Sequence, residues 1–223
     1  MKTDVIEETL DAIMDSDRDR AIGILTEWGK RHGFLNVITN ILEPVLFRIG
    51  EEYGDGRPVS LAHGYIAAKV SEEIFHRAVS AGFGSPSELT RKGHVVIGNI
   101  EDDYHTLGRK MVSAFLCSSG WDVHDLGNDI PAASFVDAAL DCGARVICVS
   151  AMMHTTALNI AKVRSEIDGR GLKGKLQLAV GGAIFLLRPE LVHDVGGDGT
   201  ARNAMLASDL LDSLWAKSLA AGA

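Results

Sequence analysis

The chain has 223 residues, a net charge of −8 and 46% hydrophobic residues. That length supports one large domain or two small ones with a proper core, and the acidic balance without any run of Lys and Arg excludes direct nucleic-acid binding, which needs clustered positive charge. No apolar run is long enough to span a membrane and the acidic N-terminus does not read as a signal peptide, so a cytoplasmic protein without a membrane partner is expected.

The first eighty residues carry helical periodicity alone. Val5, Ile6, Leu10, Ile13 and Met14 recur at spacings of three and four, which predicts a first helix. Asp17 is placed to cap a second helix carrying Ala21, Ile24, Leu25 and Trp28 and ending near Gly33. A third runs from about Leu35 to Tyr53, with a kink or boundary expected at Pro44. After the stop signal "GDGRP" a fourth helix is expected from about Val59 to Ala81. Four helices with short connections predict an antiparallel bundle over residues 1–82, followed by a glycine-, serine- and proline-containing linker at 83–93.

From His94 onward short apolar runs alternate with helical stretches. "HVVIGNI", "WDVHDLG", "RVICVS" and "KLQLAVG" read as strands, with a weaker fifth near "VGGDGTA". Helices are expected at about 107–119, 132–142, 157–169, 186–193 and 203–217. Near-continuous apolar strands alternating with helices predict an α/β fold over 94–223, a flavodoxin-like five-stranded parallel sheet covered on both faces. Ligands of such sheets bind beyond the carboxyl ends of the strands, so the loops at that edge hold the candidate site. The three cysteines, Cys117, Cys142 and Cys148, form no C-x-x-C pair and read as reduced core thiols.

Three of those loops carry polar groups. "EDDYHTLG" places Asp103 two residues before His105, a spacing that lets a carboxylate hold one imidazole nitrogen and leave the other free as a base or metal ligand; a solvated loop histidine fits the same residues. "SAMMHTT" offers Ser150, Thr155 and Thr156, which serve equally as helix caps. "GGAIF" offers Gly181 and Gly182 for close backbone approach or for a turn. A P-loop, a G-x-G-x-x-G after the first strand and a G-x-S-x-G elbow are all missing, which removes phosphate-loop nucleotide, nicotinamide and serine-hydrolase readings. Ser150 stands where a response-regulator receiver would need its phospho-acceptor aspartate.

Taken together the loops resemble the cobalamin-binding domains. Their D-x-H-x-x-G stands here as Asp103-Tyr104-His105-Thr106-Leu107-Gly108, their S-x-L as Ser150-Ala151-Met152, and their G-G as Gly181-Gly182 followed by Ala183. The upstream helices, with "IGEEYGDG" before the last, resemble the cap module that precedes this domain in methionine synthase and in methyltransferase-cognate corrinoid proteins. The resemblance implies a cobalamin or related corrinoid cofactor, in methyl or hydroxo form, bound with its own benzimidazole displaced. His105 would be the lower ligand of cobalt, with Asp103 fixing its tautomer and Thr156 behind Asp103. The nucleotide tail would thread between the first loop and the glycine pair, with Gly108 making room and Ser150 bonded to the tail base. Protonation of the Asp103–His105 pair would favour release of His105 and its loss would favour ligation.

The sequence departs from the family pattern at Met152, at His154, where a small hydroxyl residue is usual, and in the cap. There Ser60-Leu61-Ala62-His63 replaces an aromatic-Leu-Pro-Glu run, and the photoreceptor pattern of Trp then Glu-His would fall on Tyr53, His63 and Gly64. Leu61, His63 and Tyr65 are the residues expected above the cobalt. The implied function is a non-catalytic methyl carrier serving partner methyltransferases; the alternative is a cobalamin-dependent sensor or photoreceptor module acting on a partner protein. A homodimer through the helical bundle is the oligomer it leaves open.

Overall fold

The computed structural model describes residues 2–54, 60–85 and 91–221. The chain divides into two compact units, Met1–Phe83 and Gly84–Ala223. The expected linker straddles that division, and its residues 86–90 lie outside the described residues, as do 55–58 of the expected stop and residue 59, where the last bundle helix was expected to begin.

The first unit is helical. α1 spans Lys2–Met14 and α2 Arg18–His32, the latter capped by the Asp17 side chain accepting from the Arg20 N–H. α3 (Phe34–Val37) continues through a π-helical turn (Ile38–Leu42) into α4 (Glu43–Gly54), and α5 spans Leu61–Ser80. The π turn explains how Pro44 is tolerated. A proline ring collides with the carbonyl four residues back and brings no N–H, and widening the preceding turn relieves both problems without ending the helix. There the Glu43 N–H reaches the Ile38 carbonyl, five residues back. Leu10, Ile13, Leu25, Ile41, Val70 and Ile74 are buried in this unit; each such side chain removed from water contributes about 1.5–3 kcal/mol before entropy is counted.

The second unit is a parallel α/β sheet. In chain order its elements are β1 (Gly93–Asn99), α6 (Thr106–Ser118), β2 (Trp121–Asp125), α7 (Ala132–Cys142), β3 (Val146–Ser150), α8 (His154–Gly169), β4 (Gln177–Gly181), α9 (Ala183–Leu187), α10 (Leu191–Asp194), a 3-10 turn (Ala204–Leu206) and α11 (Ala207–Ala221). The order across the sheet is β2-β1-β3-β4. Alternate strand residues feed two cores. Val96, Ile147, Val149 and Leu178 pack with residues of α7 and α8, while Val95, Ile97, Cys148 and Ala179 pack with Leu116, Leu211 and Leu214 of α6 and α11. Because both faces are covered, the strands read as unbroken apolar runs rather than alternating ones.

Two expectations need correction. Among the described residues the sheet has four strands, not five. The segment expected as the fifth contributes a single bridge, Ala179 to Gly199, in which the Val180 N–H reaches the Gly199 carbonyl and the Asp198 N–H reaches the Leu178 carbonyl. Its ladder stops there because the Asp198 carboxylate takes the Leu178 N–H at 2.7 Å, and because three glycines in five residues supply little side chain to pack. The helix expected at 186–193 is likewise two short helices, α9 and α10, separated at Pro189, whose ring forces Arg188 out of the helical region (φ −135°, ψ 77°).

Candidate functional site

The order β2-β1-β3-β4 reverses direction between β1 and β3, and the crevice beyond the carboxyl ends of those strands is where doubly wound sheets hold ligands. The three polar loops begin from one row of that edge. Asn99 at the end of β1 pairs with Ser150 at the end of β3, which pairs with Gly181 at the end of β4.

Asp103 organises the crevice. Its side chain is fully buried. One carboxylate oxygen accepts from the Asn99 amide at 2.8 Å, from the His105 N–H at 3.0 Å and faces His105 Nδ1 at 3.3 Å. The other accepts from the Met152 N–H at 2.7 Å and from the Thr156 hydroxyl at 3.0 Å. Burial alone would push this carboxyl up, but the N–H groups of Met152 and His105 and the Asn99 and Thr156 side chains together outweigh it and hold it below its ordinary value. The group is therefore a carboxylate, and a carboxylate only accepts. The hydrogen shared with His105 must sit on Nδ1, which leaves Nε2 of the neutral ring without a hydrogen and free to bind. The ring itself is accessible, with 55% of the side chain exposed, and His105 is the N-cap residue of α6.

A deeper relay stands behind this pair. Asn99 also donates to the His105 carbonyl at 3.1 Å and accepts from Arg109 Nε at 2.8 Å. Arg109, buried in α6, pairs in turn with Asp125 at the end of β2 and with Asn128. Asn99 and Arg109 were not among the residues singled out from the sequence. The signal for Asn99 was available, as the polar residue inside the apolar run "HVVIGNI". The Arg109–Asp125 pairing joins α6 to the end of β2 and has no local signature.

The remaining candidates divide. Tyr104 is exposed, and its hydroxyl donates to Asp129 at 2.7 Å; the same Asp129 accepts the Asp102 N–H at 2.8 Å. Those two hydrogen bonds, the backbone one foremost, hold the Asp129 carboxyl below its usual value. Thr106 and Leu107 are half-buried in the first turn of α6. Met152 and His154 are exposed on the loop after β3 and at the start of α8, and Thr156 is buried against Asp103. Ser150 and Ala183 are half-buried at the strand edge.

The two adjacent glycines do different jobs. A Cβ on Gly182, whose φ is +114°, would lie 1.9 Å from the Ala151 carbonyl oxygen, so this glycine lets two loops touch and leaves no slot of its own. A Cβ on Gly181 would meet nothing within 4 Å, nor would one on Gly108. Space for a ligand lies beside Gly108 and Gly181.

In the helical unit, His63 caps α5. The Ser60 hydroxyl accepts the His63 N–H at 3.4 Å and His63 Nδ1 accepts the Ser60 N–H at 3.1 Å. Tyr65 is exposed with Lys69 over its ring at 5.7 Å. The Leu61 side chain lies outside the described residues.

Residues 93–208, more than half of the chain, match the family model of the B12 binding domain. The chain belongs to the B12-binding domain family. The likeness extends past that domain. Dimethylamine corrinoid protein 1 of Methanosarcina mazei is 28% identical over 203 residues, covering 91% of this chain and 92% of that protein. Trimethylamine corrinoid protein 1 of the same organism is 29% identical over 184 residues, covering 82% and 84%. The solved structure of the monomethylamine corrinoid protein of Methanosarcina barkeri has the same fold, with a TM-score of 0.77, 19% identity and coverage of 96% of this chain and all of that one. The cofactor of a B12-binding domain is a corrinoid, and the crevice fits one on two independent grounds. Open space adjoins Gly108 and Gly181, and the carboxylate-held imidazole of His105 on the loop of Gly108 is exposed with Nε2 bare. No helix among the described residues is long and apolar enough to cross a membrane.

Proposed function

We propose that this B12-binding protein carries methyl groups between methyltransferases, with His105 as the protein ligand on the lower face of cobalt and the corrinoid's own base displaced. When bound, the corrinoid supplies a cobalt that takes up and gives away the methyl group. The chain supplies ligation and control. His105 presents Nε2, and Asp103 keeps the proton on Nδ1 and the ring in position. Thr156 and the Met152 N–H fix Asp103 from the loop after β3, while Asn99 and Arg109 fix it from β1 and α6. Gly108 and Gly181 leave room for the nucleotide tail, and Ser150 is placed at the strand edge to bond it.

The single observation that supports this reading most is the Asp103–His105 contact tied across two loops by the Met152 N–H and Thr156. A protein that needed only a tight turn after β1 has no use for a buried carboxylate with four donors beneath an exposed imidazole. The likeness to methylamine corrinoid proteins supports the carrier over a sensor, and supports methyltransferases as partners.

The test is reconstitution with hydroxocobalamin followed by reduction to cobalt(II). Electron paramagnetic resonance should show hyperfine splitting from one protein imidazole nitrogen, changed by 15N-histidine labelling and lost in His105→Ala. A splitting that ignores the label, or survives in His105→Ala, would sink the ligand assignment. Transfer of methyl from a methylated reconstituted protein to a thiol or folate acceptor, in the presence of a cognate methyltransferase, tests the carrier role.

A further inference from the structure

On β1 and β2, starting from their N-terminal ends, lies a second cluster of metal-binding groups. His94 is the second residue of β1, and Asp122 and His124 are the second and fourth of β2. In the parallel register His94 pairs with Asp122, and Val96 with His124. Side chains two apart on a strand share a face, so all three groups stand on the face of Val96, on the edge strand and its neighbour. The row of site residues that closes β1 at Asn99 is five residues beyond His94, about 16 Å at the rise of a strand, and three beyond Val96, the level of His124, about 10 Å.

The donors converge. His94 Nδ1 is 3.0 Å from His124 Nε2 and 3.4 Å from Asp122 Oδ2, and the three ligand atoms all lie within 4.8 Å of one another. Nδ1 of a neutral ring carries at most one hydrogen, and that hydrogen can satisfy one neighbour, not both. A histidine–histidine hydrogen bond therefore leaves the carboxylate contact unexplained. Three Lewis bases around one point are explained by a cation. Two donors each about 2.0–2.1 Å from a tetrahedral ion stand about 3.3 Å apart, close to the two shorter separations here. Closing the third needs side-chain rotation, which half-exposed groups allow. Among the described residues Arg91 also faces the carboxylate, 3.9 Å from Asp122 Oδ2 on a side chain 87% exposed, which is free to turn into solvent.

We propose that His94, Asp122 and His124 bind one divalent transition-metal ion of the zinc class, independently of the corrinoid. Two imidazoles and one carboxylate suit zinc, nickel or copper rather than magnesium or calcium, which prefer oxygen alone. The fourth position is left to water. The ion clamps the edge strand β2 to β1, so its consequence is added stability of the α/β unit by preferential binding to the folded state.

The test uses the full chain with Zn2+ and Cu2+ as probes, in wild type and in His105→Ala so that the proposed corrinoid ligand cannot contribute. Calorimetric titration with Zn2+ should give one saturable micromolar site in both, and the melting temperature should rise with Zn2+. His94→Gln and His124→Gln, each checked for fold by circular dichroism, should weaken binding by more than the ~10–100-fold that loss of a ligand's outer-shell partner costs and abolish the melting shift. Cu2+ bound to the wild type should show two-nitrogen superhyperfine splitting, falling to one nitrogen in either variant. Absorption of the hydroxocobalamin-loaded protein should not change in either variant. Absence of a saturable site, or Zn2+ binding that survives both substitutions together, overturns the proposal.

Discussion

His63 and His105 both sit at the start of a helix, and both make a hydrogen bond through Nδ1, yet they use that nitrogen in opposite senses. His63 Nδ1 accepts the backbone N–H of Ser60, so the neutral ring carries its hydrogen on Nε2. His105 Nδ1 faces a carboxylate that only accepts, so its hydrogen sits on Nδ1 and Nε2 is bare. The first arrangement finishes a helix, and the second presents a ligand. The neighbour's hydrogen-bonding character, not the residue type or its exposure, separates them. Gly181 and Gly182 repeat the lesson with backbone: adjacent and chemically identical, one borders open space and the other is pressed against the Ala151 carbonyl.

The most severe way to break the contrast is to remove the acceptor under His105. Asp103→Ala strands the Met152 and His105 N–H groups and one hydrogen of the Asn99 amide around an empty position, while the Thr156 hydroxyl keeps the Met153 carbonyl, and should cost about 3–5 kcal/mol of unfolding free energy. Asp103→Asn keeps the shape and can still accept on one atom, so it should cost less while weakening His105 ligation. Denaturant titration with imidazole-nitrogen hyperfine spectra reads both; equal stability of wild type and Asp103→Ala would mean that the network contributes nothing.

The glycine pair comes next. Gly182→Ala should lose roughly 1–3 kcal/mol, from positive φ and a Cβ forced onto the Ala151 carbonyl. Gly181→Ala should leave the melting temperature where it is and reduce corrinoid affinity, because its Cβ enters the open space. Reversal of the two outcomes in paired melting and cofactor titrations would reverse the assignment of the slot.

A smaller effect is expected at His63. Losing the reciprocal cap should cost about 0.5–2 kcal/mol, felt by the helical unit. Since Nε2 of His63 holds a hydrogen in this arrangement, His63→Ala should leave the cobalt spectra unaltered, whereas His105→Ala should alter them with little loss of stability. A cobalt spectrum that responds to His63→Ala would show that the cap opens and the ring serves as a ligand.

Much of this organisation is legible in the sequence. The change from a period of 3.6 to alternating apolar runs at His94 announces the second unit, because a sheet covered on both faces needs strands that are apolar throughout. Asp103, His105, Ser150 and Gly181 were legible because each belongs to a loop that the alternation places on one edge. Other features depend on contacts distant in sequence. The weak fifth segment ends at a single bridge because an aspartate diverts the N–H that would extend it, and composition does not reveal where a side chain will turn. Arg109 reads as one more charge on a helix until Asp125 and Asn99 are brought beside it. In Ser60-x-x-His63 a histidine takes the place usually held by Glu or Gln in a capping box, and the spacing alone does not say which ring nitrogen is engaged.

Asp103 and Cys148 extend the comparison to pH. Both are buried in the α/β unit, and burial pushes each toward its neutral form. Asp103 has donors on both oxygens and ends below its ordinary value; Cys148 has burial alone and is pushed up to about 12. The signs follow from linkage. A carboxyl depressed in the folded state contributes stability above its unfolded value, about 3.9, and that contribution is lost as pH falls through the folded value. A thiol raised in the folded state contributes stability that is complete below its unfolded value, about 8.5, and is lost as pH rises toward 12. Between about pH 9 and 12 the loss from Cys148 approaches ~1.4 kcal/mol per pH unit. Its share should vanish in Cys148→Ala, once the constant cost of the smaller side chain is subtracted. Denaturant midpoints of the two proteins from pH 7 to 10 measure it: the gap between them should narrow as pH rises, and a gap that stays constant would mean that the Cys148 thiol ionises as readily in the folded chain as in the unfolded one.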